Sequence, residues 1–470
     1  MHLIFFYYFE VINLSLVSSI CPVEEFHKPF YVHAKNSFFQ YQLLKAAQTG
    51  QDVYENKYNK LNNMKYAREV NGNITIQEVF RNHWDEFVSW CESIGKKLRP
   101  SIIKNVDAMI NCRNFKKGYL FFECPKCNNI YVQGLSCHSR FCVSCGKKYR
   151  DARANEISKT CIYAPHRHIT WTISGLLWDF FQKYKIYDIL FQSVNDVLTY
   201  LIQGKSKSAK KRNERLGFIS TIHTFGRDMK HNPHIHSLVA ECTIDNDGNK
   251  KPYNYFNYES LRKAFMKQVL QRMYDFLKVN GSKKDLDKFK KIRTWLYKVS
   301  DNGFYVHAPQ KECKNPNQIK RIVNYVCRYA GHPAMSESRI IKYDKENKMI
   351  HYYYDPHEDD TIINPDDKIG RQYVSESINE FIAKLIVHIP EEFVHTTRYY
   401  GFYANHTNLD TKRKPKLFKL VEIKEMNKNL YWRNRLISSY KYDPLLCHCG
   451  ATMVIVPDLC YFPGYSKEAG

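Results

Sequence analysis

The stretch Asn232-Pro233-His234-Ile235-His236-Ser237-Leu238-Val239 decides how this chain is read, because two imidazoles one residue apart are half a metal site if the segment is extended. In a β-strand side chains alternate between faces, so His234 and His236 share the polar face while Ile235, Leu238 and Val239 anchor the strand in a core. Alone the pattern is cheap. With 19 His in 470 residues this spacing arises about once by chance, and it occurs again at His166-Arg167-His168. In that rival pair Arg167 stands where a core-pointing residue belongs, so it ranks lower, and the adjoining run Ile169 to Ile173 is read as core. Upstream, Gly217 to Phe225 is a second strand-like run, and residues Gly226 to Pro233 join the two as a hairpin that carries His223 toward the His234/His236 face. Three imidazoles can hold a divalent ion with open positions, which acts as a Lewis acid on a phosphodiester oxygen. The plain alternative for His223 is a half-buried strand histidine.

Such a site needs a nucleophile, and Tyr325-Val326-Cys327-Arg328-Tyr329 offers two. The i, i+4 spacing puts both phenols on one helical face, with Arg328 nearby. A structural aromatic stripe has the same pattern, and Tyr399/Tyr403 is another instance, interrupted by Gly401. A phenol with a pKa near 10 needs a polarised target at neutral pH, so these tyrosines matter only if they face the histidines.

The second cluster of chemistry is cysteine. Cys124-x-x-Cys127 and Cys142-x-x-Cys145 lie close together with Cys137-His138 between them. Four thiolates make a closed tetrahedral Zn²⁺ site that folds the loop around it, and Cys137 or His138 is an alternative ligand. No thioredoxin-like βαβ pattern surrounds these pairs, which argues against redox chemistry. Arg140, Lys147 and Lys148, with Arg150 and Arg153, make the module basic and suited to phosphates, although a charge run is equally a solvated face. Cys447-His448-Cys449-Gly450 has only one residue between its cysteines and is a weak metal candidate.

The bulk composition agrees with a nucleic-acid partner. Lys+Arg number 71 against 47 Asp+Glu, a net charge of +24, and 15% aromatic residues add stacking surfaces suited to single strands. Fifteen cysteines in a long Lys-rich chain fit metal binding in a reducing compartment better than a disulfide framework. The expected place is therefore the cytoplasm, at the nucleoid, with no membrane partner. The apolar start, Met1 to Glu10, lacks a positive flank and is too short to span a bilayer, so it reads as a weak or misassigned start; a signal peptide ending near Ser18 to Cys21 is the alternative.

Residues 1–75 read as an irregular lead-in. Residues 76–155 read as a zinc-binding, DNA-contacting domain opened by two helices, one carrying Phe80, Trp84, Phe87 and Cys91 at helical spacing and one around Ile102 to Met109. Residues 161–345 interleave strands with helices near Leu177 to Ile202, Tyr258 to Val279 and Gln318 to Ala330, an α+β sheet domain. Residues 346–470 form a carboxy-terminal extension, with a strand at Ile350 to Tyr354 and a helix near Ser375 to Leu385.

Taken in order, a four-cysteine module, a hairpin ending in the histidine pair, Y-x-x-x-Y, and then Arg398-Tyr399-Tyr400-Gly401-Phe402 resemble the HUH-type rolling-circle transposases of the IS91 and common-region insertion sequences. The likeness runs from about Val79 to His406. It implies a single-strand DNA endonuclease and strand transferase with a ferredoxin-like antiparallel sheet, preceded by a small helical zinc-binding domain. His234 and His236 match the family's metal pair, and Tyr325 and Tyr329 its nucleophiles. His223-Thr224-Phe225-Gly226 is similar to the segment before the pair, which does not itself require His223 as a ligand. The family's cysteine-rich tail is reduced here to Cys447-His448-Cys449. The implied cofactors are structural Zn²⁺ and catalytic Mg²⁺ or Mn²⁺. The implied substrate is single-stranded DNA at element ends and targets, joined through a 5′-phosphotyrosine intermediate without ATP, in keeping with the lack of a G-x-x-x-x-G-K-[ST] motif. A plasmid-type replication initiator or a non-catalytic zinc-dependent DNA-binding protein are the alternatives; a histidine-triad hydrolase would need a third histidine at Leu238.

Overall fold

The computed structural model describes residues 74–162, 164–204, 206–307, 334–355, 370–392, 394–404, 432–440 and 443–463. Tyr325, Arg328 and Tyr329 lie outside the described residues, as does the helix expected over Gln318 to Ala330.

The central sheet is built from β3 (His166–Thr172), β4 (Arg215–Phe225), β5 (His231–Ile244), β6 (Lys250–Pro252), β7 (Val306–His307) and β11 (Thr397–Tyr400). Its order is β11-β4-β5-β3-β7, with β6 on β5, and every pairing is antiparallel. Between β3 and β4 run the helices α4 (Trp178–Tyr184), α5 (Asp188–Thr199) and the short α6 (Lys207–Lys211). Between β5 and β7 run α7 (Tyr258–Asn280) and α8 (Lys283–Val299). One face of the sheet packs on α5 and α7 through Ile169, Trp171, Phe218, Ile235 and Val239 against Leu190, Val194, Phe265 and Val269. The helix expected over Leu177 to Ile202 is two helices, because Lys185 ends α4 in the left-handed region with φ 54°.

The opposite face is shared by two environments. Leu238, Ala240, Cys242 and Ile244 of β5, with Ile219 of β4, pack under α3 (Val143–Thr160) through Ala154 and Ile157. His234 and His236 continue the same row. Leu238 therefore lies on the histidine face, in this second core, and not opposite the imidazoles as expected from the sequence.

α1 (Ile76–Ser93) and α2 (Pro100–Ile110) do not stand alone as a helical pair. Their apolar sides, Val79, Phe80, Phe87 and Val106, share a core with the small sheet β8 (Ile340–Asp344), β9 (Met349–Tyr354) and β10 (Gln372–Ser377) and with α9 (Ile378–Ile386). Ser377 caps α9 in a reciprocal capping box with Glu380. Met229, at the tip of the β4–β5 hairpin, is buried in the same core. The hairpin tip is also held by His388, whose Nε2–H donates to the Met229 carbonyl (2.9 Å) while Nδ1 accepts from the Thr224 hydroxyl (3.1 Å).

A third sheet joins β1 (Tyr119–Glu123) and β2 (Ile130–Gly134) to β12 (Val454–Ile455), far away in the chain. α10 (Trp432–Tyr440) closes it, with Trp432 stacked on Phe122 at 6.2 Å between centroids and Met453 and Leu445 buried beneath.

Two residues of the 398–403 segment fix where β11 meets β4. Gly401 has φ +59°, and a Cβ there would meet the Leu216 carbonyl oxygen at 1.5 Å, so the chain turns onto β4 only with glycine. Gly401→Ala is expected to cost roughly 2–4 kcal/mol in chemical denaturation. Gly370→Ala, where a Cβ meets nothing within 4 Å, should stay within about 0.5 kcal/mol; equal effects would refute the assignment. Tyr403 donates its hydroxyl to Nε2 of the fully buried His166 (2.7 Å), whose Nδ1–H donates to the Ala164 carbonyl (2.8 Å). Burial holds the His166 imidazole near a pKa of about 4. Its folded pKa lies below the unfolded value of about 6.5, so the unfolded chain binds the extra proton, and stability present above about pH 6.5 is lost as pH falls toward about 4. With zinc held saturating, His166→Gln should flatten part of this acid slope in thermal melts, and identical slopes for the two proteins would remove His166 from the account.

Candidate metal centres and the histidine face

Strand register assembles the histidine site. In the β4–β5 pair His223 sits opposite His234 and Thr221 opposite His236, so the three imidazoles meet on one face. One nitrogen from each lies within 4.8 Å of the others. Nδ1–H of His234 donates to the Asn232 carbonyl at 2.7 Å, which leaves Nε2 as the lone-pair atom turned to the cluster. Nε2 of His234 and Nε2 of His236 are 3.0 Å apart. Adjacent ligands about 2.1 Å from an octahedral ion lie ~3.0 Å apart, so the His234–His236 edge has the spacing of two neighbouring ligands on one small divalent ion. Burial keeps both His234 and His236 below the usual histidine pKa, the latter strongly and with added repulsion from His223, His234 and His168. Both are therefore neutral, the state a metal ligand requires.

The rival pair at 166 and 168 splits between roles. His166 is a satisfied core histidine, and Arg167 points to the other face, where Nε–H meets Glu241 at 2.7 Å and the guanidinium lies over Phe256. His168 shares the histidine face: its Nε2 is 2.8 Å from Nδ1 of His236. In the sequence Arg167 obscures His168 because a charged residue breaks the apparent alternation, whereas in the fold a buried ion pair with Glu241 accommodates Arg167 there.

The four cysteines Cys124, Cys127, Cys142 and Cys145 are not brought together, which corrects the expected single site. Cys142 and Cys145 gather with Cys112 and Cys137, and Cys124 and Cys127 gather with Cys447 and Cys449; within each group the sulfurs lie within 4.8 Å of one another. The reason is the hairpin β1–β2: it separates Cys124-x-x-Cys127, at the β1–β2 turn, from Cys142-x-x-Cys145, at the start of α3. In the first group the Cys112–Cys145 and Cys137–Cys145 sulfurs are 3.6 and 3.7 Å apart. Thiolates about 2.3 Å from a tetrahedral ion lie ~3.8 Å apart, whereas a disulfide would need about 2.05 Å. Cys137 is thus a member, and exposed His138, with φ 54°, is not. Cys112, just past the end of α2, gave no sequence signal because it has no nearby cysteine partner.

Of the basic residues, Arg140 is exposed, with its guanidinium 4.2 Å from the Tyr149 ring centre and one N–H donated to Thr396 beside β11 (3.2 Å). Lys147 and Lys148 are half-buried in the first turns of α3. Burial pulls the Lys148 ammonium below its ordinary pKa against the opposing pull of the Cys145 sulfur, so Lys148 sits beside the thiol cluster. Among the described residues no helix is long and apolar enough to cross a membrane.

Comparison with known proteins agrees with the order of these parts. Residues 79–173 match the family model "Transposase zinc-binding domain" and residues 217–410 match "Putative transposase". The chain is 26% identical over 369 residues, 76% of its length and 84% of the relative's, to the transposase for insertion sequence element IS801 of Pseudomonas savastanoi pv. phaseolicola. It is 21% identical over 343 residues, 70% of its length and 80% of the relative's, to "Putative transposase y4qJ" of Sinorhizobium fredii (strain NBRC 101917 / NGR234). No solved structure matches. With both modules present in the same order, and a curated transposase similar along most of its length, the chain belongs to the IS91 family of transposases with an amino-terminal zinc-binding domain.

Proposed function

We propose that this transposase nicks and rejoins single-stranded DNA at element ends through a tyrosine linkage, as in rolling-circle transposition. The observation that carries the reading is the cluster of three imidazoles, two of them, His234 and His236, kept neutral by burial, with their Nε2 atoms 3.0 Å apart on one sheet face. The element order β3-α5-β4-β5-α7-β7, with β4-β5-β3-β7 adjacent in the sheet, supports a ferredoxin-like HUH domain around that cluster. His234, His236 and His223 would hold a Mg²⁺ or Mn²⁺. When bound, that ion supplies Lewis-acid polarisation of a phosphodiester oxygen. Tyr325 or Tyr329 attacks phosphorus through its phenolic oxygen, the bond to the 3′ oxygen breaks, and that oxygen leaves as a 3′-hydroxyl after taking up a proton. The 5′-phosphotyrosyl link conserves the bond for rejoining, and the second tyrosine allows a second strand to be held. Cys112, Cys137, Cys142 and Cys145 would hold a structural Zn²⁺. Arg140, Lys147, Lys148 and Arg328 are assigned to the DNA backbone, with Arg140 the most accessible of the described three.

Incubation of the chain with a labelled single-stranded element-end oligonucleotide and Mn²⁺ should give a covalent adduct that survives denaturation. His234→Ala/His236→Ala should lower its rate by roughly 10²-fold or more. Chelation should abolish adduct formation and added Mn²⁺ restore it. Adduct formed undiminished by Tyr325→Phe/Tyr329→Phe would overturn the nucleophile assignment, and adduct indifferent to chelation would overturn the metal's.

A further inference from the structure

Cys124, Cys127, Cys447 and Cys449 take no part in the strand-transfer chemistry proposed above. Their sulfurs come from opposite ends of the described chain, yet Cys124 and Cys449 are 3.5 Å apart and Cys127 and Cys447 are 3.5 Å apart. All four lie within 4.8 Å of one another. These spacings are far too long for disulfides and close to the ~3.8 Å edge of a mononuclear tetrathiolate tetrahedron.

The backbone around them is shaped to stabilise thiolates. Amide N–H groups of Lys126 and Cys127 are directed at the Cys124 sulfur, that of Asn129 at Cys127, and that of Cys449 at Cys447. The Asn129 side-chain amide lies 3.7 Å from the Cys447 sulfur. Each half is a tight turn. One is closed by Asn128 N–H to the Cys124 carbonyl (2.9 Å), with Asn128 at φ 53°; the other by Gly450 N–H to the Cys447 carbonyl (2.9 Å), with Gly450 at φ 83°. The surrounding contacts bind the same two chain segments: β12 pairs with β1, Tyr461 and Tyr119 exchange two backbone hydrogen bonds (2.8 and 3.0 Å), and Leu445, Met453 and Phe122 share one small core.

We infer that Cys124, Cys127, Cys447 and Cys449 hold a second structural Zn²⁺, which clasps the carboxy-terminal segment 443–461 onto the β1–β2 hairpin of the amino-terminal module. The small core beneath it, six buried side chains including two of the cysteines themselves, is too slight to hold a two-residue strand pairing alone. A metal closing a loop of this length supplies the missing constraint. Cys460 lies nearby, its sulfur 3.4 Å from the Phe121 amide nitrogen, but outside the four-sulfur group, and so serves as an internal control.

Metal content of the purified full chain, measured by elemental analysis and native mass spectrometry, tests the clasp. The expected result is two zinc ions per chain, one after Cys447→Ser/Cys449→Ser, one after Cys112→Ser/Cys137→Ser, and two after Cys460→Ser. Should a double variant fail to fold, thiol alkylation of the unmutated chain gives the same answer. Cys124, Cys127, Cys447 and Cys449 should resist iodoacetamide together and become reactive together on chelation, even though Cys127 is exposed. One zinc per chain with Cys447 and Cys449 freely alkylated would overturn the clasp and leave the Cys112 group's zinc intact. Iron in place of zinc would also overturn it, and no metal in either group would overturn both assignments.

Discussion

The antiparallel register of β4 against β5 is the constraint on which the site depends. Because side chains alternate, the pairing that sets His223 opposite His234 also sends Ile235 and Val239 into the helix-covered core. A slip of one residue would drive the imidazoles under α5 and α7 and carry Ile235 and Val239 to the face covered by α3, so both cores would have to repack. Hydrogen bonds inside the core reinforce it. The Trp171 indole N–H donates to Ser237, and Ser237 and Ser220 share a 2.8 Å bond, so three neighbouring strands are tied at one level with no buried hydroxyl left unmatched there.

Register also depends on how the hairpin tip is held, and this links the site to the amino-terminal part of the chain. Met229 lies in the core formed by α1, α2, the small sheet and α9, and the same core includes Cys112, Cys142 and Cys145. Metal binding by that thiol group would therefore order the helices on which the hairpin tip rests, as well as a local loop. The two ends of the hairpin have different supports: its tip is docked on this core, and the far ends of its strands are roofed by α3.

Much of this was legible in the sequence, and the failures have physical causes. The β4–β5 hairpin, α1, α2, α7, β9 and the three-histidine face follow from local alternation and helical spacing, which report faces reliably when one side is buried. The α9 helix was also visible, though its first residues belong to β10. The cysteine pairing was not legible, because spacing identifies a turn able to offer two thiolates but says nothing of which other turn completes the tetrahedron. Cys137 was legible as an alternative ligand, but Cys112 is isolated in sequence, and Cys447-x-Cys449 gathers with a turn more than 300 residues away. The placing of Leu238 failed for a related reason. A face bearing histidines looked polar throughout, whereas that face is apolar under α3 and polar only beyond it.

That division gives α3 a role beyond covering the sheet. Its first turn begins at Cys142 and Cys145, and farther along Ala154 and Ile157 pack on the apolar part of the histidine face. Along the β11–β4 edge, Arg153 lies over Tyr399, which pairs with Ile219, while Arg140, just before the helix, reaches Thr396, whose carbonyl accepts from Ile222. Moving toward the start of α3 is therefore moving along β4 toward His223. The thiol cluster thus lies at the end of α3 nearest the histidine-bearing part of the sheet, and the exposed Arg140 is held at that border. A nucleic-acid strand approaching the histidines would meet positive charge fixed by the same framework as the imidazoles, which matters more for placing a phosphate than the chain's net charge of +24.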